Sequence, residues 1–202
     1  MINNVFNHVE YYILCLIFSI SLIKNNHVLS QVLFVIIALL LYFHRNPNPN
    51  LPKPLKPNIF YSPTQGKILS VKRLRDKICI SIFLSVFDNH TQYVPIHSKK
   101  IEEHFNYGFF KFANSPNSDY NQRLTHIFEC KYGMYEIVQY TGFFTRRIYS
   151  YTQINNKYSV GDRLGYIRFG SRVDICVPNT ASTNIFVKAD DLVVPMLPLL
   201  EF

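Results

Sequence analysis

The sequence predicts a mostly β chain of the α+β class. It reads as a compact β barrel or sandwich domain preceded by an N-terminal apolar helical hairpin. Three observations predict this. Two apolar runs open the chain. A proline-rich stretch follows them. Beyond it, short runs rich in Ile, Val, Phe and Tyr are separated by polar or glycine-containing breaks. The 202 residues suit one domain with an appendage, and a chain 48% hydrophobic and 15% aromatic can build a core, which excludes general disorder.

The first apolar run is "YYILCLIFSISLI", Tyr11 to Ile23, and the second is "VLFVIIALLLYF", Val32 to Phe43, with polar "KNNHVLSQ" between them. Each falls short of the roughly 20 residues that cross a bilayer comfortably. They read as a hairpin or two shallow helices, or as two spans if the flanks contribute. A signal peptide fits poorly, because "MINNVFNHVE" lacks Lys and Arg and no small-residue cleavage site follows Ile23. A membrane-anchoring hairpin over 1–44 is the expectation. A helical pair buried in the following domain is the alternative.

Residues 45–63 read as an extended, semi-rigid spacer, because their prolines are incompatible with a regular helix or a central strand. The domain then covers 64–202. Its strand-like runs are "KILSVKRL", "KICISIFLSVF", "RLTHIFECK", "MYEIVQYTGFF", "RRIYSYTQI" and "LGYIRFG".

The net charge of +8 favours an anionic partner. Arg45, Lys53, Lys56 and Lys67 lie just after the apolar runs, which makes a membrane, and not nucleic acid, the expected partner. The same residues predict a membrane-associated chain with its domain on the cytoplasmic side. The four cysteines, Cys15, Cys79, Cys130 and Cys176, form no CxxC pair, so no metal is expected. Cys79 and Cys176 lie in apolar runs and read as buried reduced thiols. No disulfide framework is expected, which points to a reducing compartment.

The stretch "LGYIRFGSRVDICVP", Leu164 to Pro178, places Ser171 directly after Gly170, with Arg168 and Arg172 on either side. With it stand four more patches in order: "FHRNP", "YSPTQGKI", "ISIFLSVFDNH" and "IVQYTGFFTRRI". Together they resemble the short form of the phosphatidylserine decarboxylase family, from about Phe43 to Pro178. "FHRNP" is similar to its Phe-x-Arg-x-Pro, "YSPTQGKI" to Ser-Pro-Ala-Asp-Gly-x-Val, and "ISIFLSVFDNH" to Ile-x-Ile-Phe-Met-Ser-x-Phe-Asp-x-His. "IVQYTGFFTRRI" is similar to Val-Gln-Ile-Ala-Gly-x-x-Ala-Arg-Arg-Ile. "GDRLGYIRFGSRVDICVP" follows Gly-x-x-x-Gly-x-Ile-x-Phe-Gly-Ser-Arg-Val-Asp nearly residue for residue.

The resemblance implies a proenzyme that cuts itself between Gly170 and Ser171, giving paired chains 1–170 and 171–202. Ser171 would become a pyruvoyl cofactor, and the substrate would be a phospholipid, phosphatidylserine, converted to phosphatidylethanolamine. Cleavage needs a hydroxyl beside a carbonyl on strained backbone, which Gly170 tolerates, and a base for the hydroxyl proton. His90 matches the family's histidine after Phe-Asp-x and suits a base or an acid, since histidine titrates near neutrality. Asp88 would orient the loop or bond backbone amides. Arg168 and Arg172, with Arg146 and Arg147, could bind carboxylate or phosphate, and Asp174 is a candidate partner for one of them. The remaining histidines, His126 among them, read as surface or core residues.

Three positions depart from the family. Gln65 stands where the family has an aspartate expected to orient the histidine and supply negative charge. Tyr93 replaces a second histidine found in longer members. The tail "DDLVVPMLPLLEF" lacks the expected glycine-containing ending. An amide at an orienting position can select the wrong tautomer and cost orders of magnitude in rate. The alternative function is therefore an uncleaved pseudoenzyme of the same fold that binds lipid or protein at a membrane.

Overall fold

The computed structural model describes residues 9–24, 26–43, 45, 47–143, 147–167 and 170–202. Two compact units divide at Arg45, the first Met1–Arg45 and the second Asn46–Phe202. In the first unit, α1 (Val9–Ile23) and α2 (His27–Phe43) have 15 and 17 residues. Asn26 starts α2 by accepting the Leu29 N–H on its side-chain oxygen at 3.1 Å, an N-cap. The Ser21 and Ser30 hydroxyls bond across the pair at 2.8 Å. Among the described residues no helix is long and apolar enough to cross a membrane.

The second unit is built from antiparallel strands. Its main sheet has eight, in the order β13 (Leu192–Val193), β2 (Gly66–Arg73), β3 (Lys77–Leu84), β11 (Ser171–Pro178), β7 (Gly133–Tyr140), β6 (Arg123–Cys130), β5 (Ser98–Asn106) and β9 (Lys157–Tyr158). A three-stranded sheet runs β4 (Thr91–Tyr93), β10 (Arg163–Ile167), β8 (Ile148–Ser150). Another runs β1 (Ile59–Tyr61), β14 (Pro198–Glu201), β12 (Asn184–Ile185). The expected barrel is not closed. The edges of the large sheet are the two-residue strands β13 and β9, which pair only with β2 and β5 and never meet. Apart from Arg45, the expected spacer 45–63 belongs to the second unit, and its end forms β1 at a sheet edge, where prolines before it remove no central ladder bond.

Alternation explains the layers. In β3, Ile78, Ile80, Ile82 and Leu84 are buried while the residues between them are not. Val173, Ile175 and Val177 of β11 and Tyr135 and Ile137 of β7 continue that face. Phe60, Leu199 and Leu200 from one small sheet, and Leu164 and Ile167 from the other, complete the same core. Each fully buried aliphatic side chain stabilises by about 1.5–3 kcal/mol.

One expectation is overturned here. Cys79 and Cys176 are directly opposite each other on β3 and β11, with Cα atoms 4.2 Å apart, and form a disulfide. They belong to the alternate, outward-facing set of each strand and are only half-buried. The apolar runs that contain them concealed both facts, because face and partner depend on register. The argument for a reducing compartment falls with the reduced thiols. Among the described residues Cys15 and Cys130 are free.

Candidate active site

Five strands of the main sheet end at one line. Leu84 pairs with Ser171, Arg172 with Tyr140, Tyr140 with Arg123, and Arg123 with Asn106. Gly170 and Ser171 lie on that line, where β11 begins. Gly170 has φ +56°, in the left-handed region that L side chains adopt at a cost, and a Cβ there would meet nothing within 4 Å. Backbone conformation, and not crowding, therefore calls for glycine. Ser171 is fully buried, and its Oγ has no hydrogen-bond partner among the described residues. A buried hydroxyl without a partner loses its solvation uncompensated, which marks a group held for chemistry.

His90 is also fully buried. Its carbonyl accepts the N–H of Ile167 at 3.2 Å, which ties it to the segment three residues before Gly170. Its Nδ1 lies 2.8 Å from the carbonyl oxygen of Asp88. A carbonyl only accepts, so Nδ1 carries the hydrogen, and in the neutral ring Nε2 is the proton-accepting nitrogen. The turn that achieves this is closed by the Asp88 carboxylate, which accepts the Ser85 N–H at 2.8 Å. Gln65 accepts the N–H of Asn89 on its side-chain oxygen at 3.2 Å, one residue ahead of His90. Asn89 in turn accepts the Thr91 N–H at 3.1 Å. Tyr93, where longer members have histidine, is fully buried, donates its hydroxyl hydrogen bond to the Pro47 carbonyl, and has its phenol pushed up by burial.

A chain of buried amides leads away from His90. Gln92 Nε2 donates to the His90 carbonyl at 2.7 Å, so its oxygen must face Gln139, whose Nε2 donates to it at 2.6 Å. The Gln139 oxygen then faces His126 Nε2 at 2.7 Å, which must be an N–H. One backbone carbonyl thus fixes the direction of every bond in the series. His126 Nδ1 lies 3.2 Å from Glu103, and Glu103 also pairs with Lys100. Lys100 is fully buried and donates to the Thr152 hydroxyl at 2.8 Å and its carbonyl at 3.1 Å. Three residues apart on a regular strand, Lys100 and Glu103 would face opposite ways. A bulge between Lys100 and Glu102 turns both toward the core. Burial pushes the Glu103 carboxyl up, but hydrogen bonds from His126, Lys100 and Ser150 outweigh it and hold it at about 2. Burial pushes the Lys100 ammonium down against the pull of Glu103.

Arg172 points to the other face of β11 from Ser171. Its guanidinium bonds Asp119 at 2.5 Å, Asp174 at 3.0 Å and the Ser118 hydroxyl at 2.5 Å, and lies 4.1 Å from the centre of the Tyr140 ring. The Asp174 partner was anticipated. The substrate contact expected of Arg172 is replaced by this internal set. Burial pushes the Asp174 carboxyl up, with Arg172 opposing. Asp88, expected to orient the loop or bond backbone amides, accepts the Ser85 N–H in the turn before His90. Arg146 and Arg168 lie outside the described residues. The amide chain was missed in the sequence, since Gln92, Lys100, Glu103, His126 and Gln139 come from four strands and share no motif. The one available signal was polar residues at core-facing positions of otherwise apolar alternation.

Comparison with known proteins agrees with this geometry. The family model described as phosphatidylserine decarboxylase matches residues 36–194. A phosphatidylserine decarboxylase proenzyme of Rickettsia felis is 33% identical over 172 residues, covering 79% of this chain and 74% of the relative. One from Rickettsia bellii has the same identity and coverage. A putative archaetidylserine decarboxylase proenzyme of Methanothermobacter thermautotrophicus is 31% identical over 179 residues, covering 79% of each chain. A family match over most of the chain, with a relative at 33% identity, means that this chain belongs to the phosphatidylserine decarboxylase family, a family of carboxy-lyases.

Proposed function

We propose that the chain is a membrane-associated proenzyme that cleaves itself between Gly170 and Ser171 and then decarboxylates phosphatidylserine to phosphatidylethanolamine. The observation that carries this reading is Ser171 Oγ, buried and without a hydrogen-bond partner among the described residues, directly after a glycine at positive φ. These residues fit a pyruvoyl group made in place. His90 takes the Ser171 hydroxyl proton through Nε2. The oxygen attacks the Gly170 carbonyl, an ester C–O bond forms, and the C–N bond between the two residues breaks. Loss of the Ser171 α-proton then expels the Gly170 carboxylate, and water replaces the nitrogen, which leaves as ammonia.

The pyruvoyl group would supply chemistry that no side chain offers, an electrophilic carbonyl able to bind an amine and to draw off electrons. In this reading His90 returns a proton to the substrate carbon from which carbon dioxide departs. Its ring is oriented by the Asp88 carbonyl at Nδ1, and Gln92 bonds its backbone carbonyl. Arg168, in the segment next to Ser171, is our candidate for the headgroup's anionic groups.

Gln65 favours a second reading, an uncleaved pseudoenzyme that binds lipid or protein, because an amide brings no negative charge to the site. We favour the enzyme, since the Asp88 carbonyl already selects the His90 tautomer that an aspartate would select. The test is conversion of phosphatidylserine to phosphatidylethanolamine by the full chain, beside Ser171→Ala and His90→Ala. Activity in the parent and none in either variant supports the enzyme. Equal absence in all three favours the pseudoenzyme.

A further inference from the structure

Between β5 and β6 the chain makes an excursion, 107–122, beyond the same sheet end that carries Ser171. Its burial pattern is inverted. Ser118 and Asn121 are buried, while Tyr107 is 89% exposed, Phe109 64%, Phe112 59% and Tyr120 66%. Phe143 joins them, stacked on Phe112 with ring centres 5.0 Å apart. Elsewhere in the domain the rings of Phe60, Tyr61, Tyr93, Phe128 and Tyr135 go inward. Here polar groups do, and several aromatic rings are left in water.

The excursion is firmly built. Asn121 accepts the Lys111 N–H at 2.8 Å and donates to the carbonyls of Lys111 and Thr141 at 2.7 and 2.8 Å. The Phe109 N–H bonds the Tyr120 carbonyl at 2.8 Å. Arg172, the residue after Ser171, grips Ser118 and Asp119. The rings are therefore presented by a fixed platform joined to the reacting serine's own strand. Val86 and Phe87, exposed in the turn after Leu84, flank Ser171 from the other side.

We propose that this excursion, with Phe143, is the surface by which the domain docks on an anionic lipid bilayer, so that Ser171 reaches headgroups from above. The inference rests on the lipid-substrate reading, since a substrate held in a bilayer requires this end of the sheet to meet the interface. The composition fits that occupant. Tyr and Phe rings suit the headgroup level, and Lys111 lies over the Phe109 ring at 5.8 Å with exposed Arg147 nearby in sequence to Phe143.

The chain has no tryptophan, so one introduced indole reports alone. Full-length Phe109→Trp and Phe112→Trp would be mixed with phosphatidylethanolamine–phosphatidylglycerol vesicles, with or without brominated acyl chains. Met134→Trp, exposed at the start of β7 and so at the opposite end of the sheet, is the control. Bromine is expected to quench the indole at 109 and 112 at least severalfold more than at 134. Equal quenching at all three, or none, overturns the proposal. A blue shift that grows with protein concentration and ignores bromine assigns the surface to a second copy and also overturns it. The same samples are analysed for fragments 1–170 and 171–202. Cleavage without quenching sinks the docking surface alone, and quenching without cleavage sinks the enzyme alone.

Discussion

At the scale of single residues, the question is what Gln65 costs. Loss of a triad carboxylate is severe chiefly where the histidine adopts the wrong tautomer. In this chain the Asp88 carbonyl fixes the hydrogen on His90 Nδ1, so only the charge is missing. Gln65→Asp should therefore speed self-cleavage by no more than roughly 10–100-fold, well short of the ~10,000-fold tautomer effect. A time course of fragment appearance checks this, and a gain near the larger figure would mean that His90 is misoriented in the parent. Ser171→Ala should leave the fold at least as stable as an uncut parent chain, because the lost hydroxyl has no hydrogen-bond partner among the described residues. Thermal unfolding measures that. The Gly-Ser pair, His90 and Gln65 were legible in the sequence because neighbouring residues form a recognisable pattern. The Asp88 carbonyl was not, since a backbone atom's role leaves no trace in residue identity.

At the scale of elements, alternation made the strands legible, as in β3, whereas register was hidden. The disulfide and the Lys100–Glu103–His126–Gln139–Gln92 series both depend on register and both escaped the sequence. Glu103 gives the series a pH signature. Its folded value of about 2 lies below the unfolded value of ~4.3, so its stabilising contribution is complete above ~4.3 and is lost as pH falls through 2. Glu103→Gln leaves Lys100 without its carboxylate and should cost about 3–5 kcal/mol at neutral pH. Melting curves should show that gap narrowing between pH 4.5 and 2. A gap independent of pH would remove Glu103 from this role. Gly165 allows the series to pass. A Cβ there would stand 2.4 Å from the Tyr149 carbonyl oxygen and 3.0 Å from Gln139 Nε2. Gly165→Ala should destabilise by about 1–3 kcal/mol and slow cleavage by displacing Gln139, read by denaturant unfolding and by fragment yield.

At the scale of the whole molecule, a cut at Gly170–Ser171 would leave the domain assembled. The small chain would keep β11 between β3 and β7 and β14 between β1 and β12, so the backbone ladders would persist without the peptide bond. The two products would also stay covalently linked, since the Cys79–Cys176 disulfide joins residues on either side of the cut. This consequence could not be read from a sequence in which both cysteines looked like reduced core residues. It also sets the conditions for the decisive measurement, the intact mass of the full chain after incubation with membranes, denatured, with and without reductant. The account predicts one disulfide-linked species without reductant and two chains with it, 1–170 and 171–202, the smaller with a pyruvoyl-blocked N-terminus. A single reduced chain of 202 residues with Ser171 unchanged would contradict it.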